Sequence, residues 1–172
     1  MSERRSRAPA VAMLAIVSVL ALASPACSTA SDARVVVTPP DRASFPEVAE
    51  LLVHRCGSLD CHGTRTRNLR LYGREGLRWS PADRPYVTVT TADEVEQDYQ
   101  SVVALEPELT SRVVIDHGAH PERLTLVRKA RGTESHKGGA LMQQGDVQDV
   151  CITSWLAGST DVASCDAARA IP

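Results

Sequence analysis

The chain has 172 residues, of which 43% are hydrophobic and 23% charged, the make-up of one ordinary globular domain. A net charge of −2 argues against a nucleic-acid binder, which normally carries a basic domain, and no segment recurs as a solenoid or propeller requires. Aromatic residues are few, namely Phe45, Tyr72, Trp79, Tyr86, Tyr99 and Trp155, so something other than protein rings is expected to help fill the core.

Arg4, Arg5 and Arg7 precede an apolar run over residues 11–23 that ends in small residues and Cys27. That order is the signature of an export leader, here residues 1–26, and the run is too short to span a bilayer as a stable helix. Cys27 follows Ala26, where a bacterial lipoprotein leader is cut and the cysteine sulfur carries lipid. Ser24 and Pro25 depart from the usual residues of that box, and plain cleavage nearby is the alternative. Residues 27–43, with Pro39 and Pro40 and no helical period, read as a flexible tether. The domain proper then spans 44–172.

Ser44 and Glu47 form a capping-box pattern with Pro46 in the first turn. Val48, Leu51, Leu52 and the stem of Arg55 follow at helical spacing and lead straight into Cys56. Cys56 and Cys61 then frame Gly57, Ser58, Leu59 and Asp60, and His62 follows directly. A cysteine pair ending in Cys-His is the attachment signature of c-type haem, usually with two residues between the cysteines. The sulfurs add to the haem vinyl groups, and the adjacent histidine offers the proximal nitrogen to iron. The longer spacing requires the loop to bulge outward, which Gly57 eases. Two other readings stay open: a Cys56–Cys61 disulfide, and a zinc site from His54, Cys56, Cys61 and His62, whose types suit that metal.

Beyond the motif, Arg65, Arg67, Arg70, Arg74 and Arg78 crowd a short stretch. One or two of them, Arg70 among these, would pair with haem propionates, with Tyr72 packing on the ring and the other arginines solvated. Residues 86–90 alternate and predict a short strand. Thr91 and Glu94 open a helix to about Leu105, with Val95, Tyr99, Val102 and Val103 inward. Two further short helices are expected over residues 107–115 and 121–129. His117 and His120 flank a glycine and read as surface residues. Asp146 caps a last helix, stopped by Gly158, whose inner face holds Val147, Val150, Cys151 and Trp155.

These pieces together resemble a class I cytochrome c domain: a helix leading into Cys-His, intervening helices, and a terminal helix with Trp155-Leu156. More narrowly, the stretch from Leu124 to Arg131, then His136-x-Gly138-Gly139, then Gly145-Asp146, is similar to small exported cytochrome-like domains of myxobacteria and planctomycetes. The resemblance implies a mainly α fold wrapped around one haem c, with a short irregular or β insertion after the haem motif. It implies His62 as proximal ligand, His136 as the favoured distal ligand, and Met142 as the alternative where class I domains carry their distal methionine. It also implies a one-electron carrier rather than a turnover enzyme. Its partners would be redox proteins of the envelope and, through the lipid anchor, the periplasmic or outer membrane. The alternatives are a small haem peroxidase or ligand sensor with an open distal side, and a haem-free, disulfide-stapled binding module. Cys151 and Cys165 remain once lipid and haem have claimed the other cysteines, and an exported protein seldom leaves thiols idle, so a Cys151–Cys165 disulfide is expected.

Overall fold

The computed structural model describes residues 35–171; the expected leader and the lipid site Cys27 lie outside them. Within that range the chain is mainly helical, with six α-helices and one 3-10 turn. They are α1 (Phe45–Cys56), α2 (Ala92–Val103), α3 (Pro107–Ile115), the 3-10 turn Pro121–Arg123, α4 (Thr125–Ala130), α5 (Val147–Leu156) and α6 (Val162–Arg169). Among the described residues, β structure amounts to two isolated bridges, Ser58 with Gly76 and Tyr72 with Leu77. No described helix is long and apolar enough to cross a membrane.

α1 is the central element and packs against α2, α5 and α6. Its apolar residues recur densely enough to bury three sides: Phe45, Val48, Ala49, Leu51, Leu52 and Val53 are all buried. Each large one contributes about 1.5–3 kcal/mol by leaving water. Phe45 meets Tyr99 of α2 and Trp155 of α5 at centroid distances of 5.3 and 5.1 Å. Half of the chain's rings therefore close the core by themselves. The polar tips of two of them reach the N-terminal segment: the Tyr99 hydroxyl donates to the Pro40 carbonyl at 2.8 Å and the Trp155 indole to Asp41 at 2.7 Å. Thr38 N–H also donates to Ser111 at 2.8 Å. The docked chain thus begins at Thr38, inside the stretch expected to be a free tether.

The two capping boxes behave differently. At α2 the box forms: Thr91 accepts from the Glu94 N–H and Glu94 accepts from the Thr91 N–H. At α1 it does not, because Ser44 already has helical dihedrals and Glu47 is drawn off by Arg169 of α6 at 3.2 Å. Asp41 takes over, accepting the N–H groups of Ala43 and Ser44 at 3.2 and 2.9 Å.

The expected strand over 86–90 is absent. Tyr86 has φ 62°, and the carbonyls of Arg84, Thr88 and Val89 accept from the Arg78 guanidinium instead of from a neighbouring strand. The expected helix over 121–129 divides at Leu124, which is extended (φ −81°, ψ 131°). Glu106 causes the restart, its carboxylate accepting from the Thr125 N–H and hydroxyl at 2.6 and 2.9 Å.

At the C-terminal end, Gly158 (φ 77°) turns the chain and Asp161 caps α6 by accepting from Ser164 N–H at 3.0 Å. The tail then runs back along α5 as a helix, and the Cys151–Cys165 disulfide joins the two with their Cα atoms 4.7 Å apart. Both sulfur residues are fully buried.

Candidate functional site

α1 delivers Cys56 to the opposite end of the helix from the ring cluster. The Gly57 N–H closes the helix on the Val53 carbonyl at 2.9 Å. The four residues after Cys56 then fold back on themselves: Cys61 and Gly63 N–H groups both donate to the Ser58 carbonyl, and His62 N–H donates to Cys56 at 2.9 Å. The extra residues of the motif are thereby accommodated as a zipped loop that returns Cys61 and His62 to the helix end. Gly63 and Gly76 make this packing feasible, since a Cβ at either would lie 1.8 or 2.0 Å from the Gly57 carbonyl oxygen. Only hydrogen fits there, and no spacing signal in the sequence marks that three-glycine contact.

The His62 side chain is fixed in a definite tautomer. Its Nδ1–H donates to the Leu69 carbonyl at 2.9 Å, which leaves the Nε2 lone pair uncommitted. Burial, partly opposed by that hydrogen bond, lowers the pKa of His62, and His136 nearby lowers it further. The imidazole is thus held neutral, the form that binds metal.

His136 stands beside it. It lies in the loop over residues 132–145 between α4 and α5, and two clamps hold that loop. Arg131 makes a bidentate, buried pair with Asp149 of α5 at 2.8 and 2.9 Å, and Leu141 and Met142 N–H groups both donate to the Ala130 carbonyl. His136 Nδ1–H donates to the Gly139 carbonyl at 3.4 Å, so its Nε2 is uncommitted as well. Gly138 gives the ring room: a Cβ there would lie 3.2 Å from the His136 Cε1. The two imidazoles lie side by side with centroids 5.8 Å apart and planes 26° from parallel.

Both histidines, Cys56 and Cys61 line one cavity of about 480 Å³. Leu69, Leu105, Leu126, Ala130 and Leu141 supply apolar walls, and the exposed Arg67 and Lys137 supply positive charge. Cys56 and Cys61 are free thiols. Burial, and then the nearby Cys61, push the Cys56 thiol up to about 11. The disulfide reading of the motif is therefore not the state observed. The zinc reading also loses its geometry: among the described residues no three His, Cys, Asp or Glu side chains are grouped to hold a metal ion, and His54 Nε2 is occupied by the Ile171 carbonyl at 3.0 Å. Two neighbouring imidazoles suit a metal whose other ligands come with a macrocycle, and two thiols beside apolar walls suit the attachment of that ring. The residues present fit a c-type haem.

The remaining candidates fall elsewhere. Met142, the alternative distal ligand, is buried in the hydrophobic core at 4% exposure, while its neighbour Leu141 lines the cavity. Arg70 and Tyr72 line a separate cleft that shares Arg67, Asn68 and Leu105 with the cavity. His117 and His120 are exposed, in left-handed conformations. Arg78, grouped with a solvated face from sequence, is buried and bonded in fork geometry to Glu94 at 2.8 Å through both oxygens. Burial raises the Glu94 pKa, but hydrogen bonds from Arg78, Thr91 and Trp79 outweigh it and hold the carboxyl below its ordinary value. No family model matches the chain, and neither a curated protein nor a solved structure is similar to it.

Proposed function

We propose that the chain is an exported, lipid-anchored carrier of one covalently attached haem, a monohaem c-type cytochrome that passes single electrons between protein partners of the cell envelope. The observation that carries this reading is the pair His62 and His136, 5.8 Å apart across a cavity that both motif thiols also line. When bound, the haem supplies an iron that cycles between Fe(III) and Fe(II).

The chain's own residues do the rest. Cys56 and Cys61 would hold the ring through two thioether bonds, an addition of thiol to vinyl that needs no oxidant. His62, directly after Cys61, would offer Nε2 to the iron, and its bond to the Leu69 carbonyl keeps the ring from turning. His136 would be the second ligand, since Met142 is packed into the core. The leucine walls keep water from the iron, and Arg67 and Lys137 offer positive charge to the propionates. With His136 as a second nitrogen ligand the iron would have no open place for peroxide or a gas, which favours a carrier over a peroxidase or sensor. The anchor at Cys27 rests on the leader pattern.

Absorption spectroscopy after expression with the c-type maturation machinery tests this reading. The expected product is a covalently retained, low-spin haem whose spectrum ignores added cyanide or carbon monoxide. A high-spin haem that responds to either would turn the reading to the enzyme or sensor class. A haem-free protein with Cys56 and Cys61 both open to alkylation would end it. Mass spectrometry of the mature N-terminus, expected to find diacylglycerol on Cys27, tests the anchor separately.

A further inference from the structure

Beside the cavity lies a cleft of about 730 Å³ with a chemistry of its own. Two arginines line it and no acidic side chain does. Among the described residues, Arg67 donates to the Cys61 carbonyl at 3.3 Å and the Arg70 guanidinium to the Tyr72 hydroxyl at 3.5 Å. The Arg70 Nε–H is buried without any partner. A cation so placed keeps an unmet demand for an acceptor, because a buried donor left unpaired costs about 1–3 kcal/mol. The opposite chemistry stands next to it. Trp79 is half exposed, at 50%, and sits edge-on to Tyr72 with centroids 5.3 Å apart and planes at 88°. Its backbone N–H donates to the buried Glu94 at 3.1 Å. Gln97 and Gln100 of α2 add neutral amides to the lining. Apolar ledges with a few convergent polar groups are the usual make-up of small-molecule sites of this size.

We propose that this cleft is a binding site for a planar aromatic anion, its ring against Trp79 and its charged group on Arg70. A flat ring matches the exposed indole, and a single anionic group matches the two guanidiniums that line the cleft with no carboxylate in its lining. The site stands on its own residues and holds whether or not the neighbouring cavity carries haem. A ligand here would lie one wall away from the cavity.

The test is calorimetric titration of the mature protein with anthraquinone-2-sulfonate, a flat ring system with one negative charge, run on haem-loaded and haem-free preparations. One saturable site in both is expected. Arg70→Gln should weaken it by about tenfold or more, the loss of one charge-assisted hydrogen bond, and Trp79→Ala, at an exposed position, should weaken it by several-fold. Arg112→Gln, an exposed α3 position that does not line the cleft, should leave it unchanged. Cyclohexanesulfonate, which has the charge without the flat ring, should bind at least tenfold more weakly. The proposal is overturned by an absence of saturable binding, by equal binding of the two sulfonates, or by indifference to both cleft variants. It is also overturned by binding confined to the haem-free preparation, which would make Arg70 the seat of a haem propionate. A protein that takes up no haem under maturation would defeat the carrier reading while leaving this titration fully decisive for the cleft.

Discussion

At the start of α1, Phe45 sits in a cluster of rings and aliphatic side chains, with the buried Cys151–Cys165 bridge on the neighbouring helices. At its end, Cys56 enters a region where backbone hydrogen bonds, glycine contacts and two buried ion pairs hold loops around a cavity with leucine walls. The first end is stabilised by area removed from water, which tolerates substitution of similar volume. The second depends on individual polar contacts, each of which is costly to half-remove. Stability and site geometry should therefore respond to different mutations, and the comparison can be broken at named places.

The largest effect is expected at the cavity end. Arg131 and Asp149 are nearly inaccessible, with side chains 9% and 4% exposed. Arg131→Gln leaves the Asp149 charge buried and uncompensated, which costs about 3–5 kcal/mol. Urea unfolding should record that loss, and Arg131→Gln with Asp149→Asn should recover part of it. A loss below about 1 kcal/mol for the single variant, the size of an exposed pair, would show that the loop is held by its backbone bonds alone.

Next comes the core end. Replacing Cys151 and Cys165 together by Ala opens a bridge with a sequence separation of 14. The loop-entropy model puts the loss at about 3 kcal/mol. The haem spectrum should not change, since neither residue lines the cavity. A changed spectrum would mean that the two ends of α1 are coupled through α5.

Asp98 lies on the seam between the two regions. It is fully buried on α2 and accepts from Tyr72 N–H at 2.7 Å, while its other oxygen has no partner. Burial, opposed by that hydrogen bond and assisted by Glu94 and Glu50, pushes its pKa up from 3.8 to about 8. The folded state therefore keeps a proton that the unfolded chain releases near pH 4. The resulting stabilisation is complete below that pH and is lost progressively as pH rises towards about 8. The slope reaches about 1.4 kcal/mol per pH unit. Asp98→Asn, which can still accept from Tyr72, should flatten this profile and be the more stable protein at pH 8. Parallel profiles for the two proteins would show that Asp98 is ionised throughout.

The same division separates what was legible in the sequence from what was not. Helices with apolar period and end signals read correctly: Pro107–Ile115, the Asp146 start and the Gly158 stop were all written in local chemistry. So was the pairing of Cys151 with Cys165, the two cysteines left over by the expected lipid and haem sites. The cavity end was legible only as a motif, because its support is long-range. Arg78 finds Glu94 sixteen residues away, and Gly57, Gly63 and Gly76 meet through a backbone approach that no spacing encodes. Alternation over 86–90 looked like a strand because period alone cannot reveal whether a partner strand exists.

His136 and Met142 pose the smallest change in stability and the sharpest question about the site. Both lie in the aperiodic stretch before α5, where the resemblance favours His136 as distal ligand and leaves Met142 as the alternative. Their surroundings now differ fully: Met142 is packed among core residues, whereas His136 lies beside His62 with its Nδ1 engaged and its Nε2 uncommitted. Met142→Leu swaps similar apolar volumes and should cost less than about 1.5 kcal/mol, with the spectrum still low-spin. His136→Ala removes a half-buried loop side chain and should shift stability by about 0.5 kcal/mol or less, yet convert the iron to high spin and make it bind cyanide. Stability and spectrum thus move in opposite orders for the two variants, which no general loosening of the loop can imitate. If Met142→Leu instead produced the high-spin form, the 132–145 loop would have to refold around haem to draw Met142 from the core. The two-ended division of α1 would then fail at the site itself.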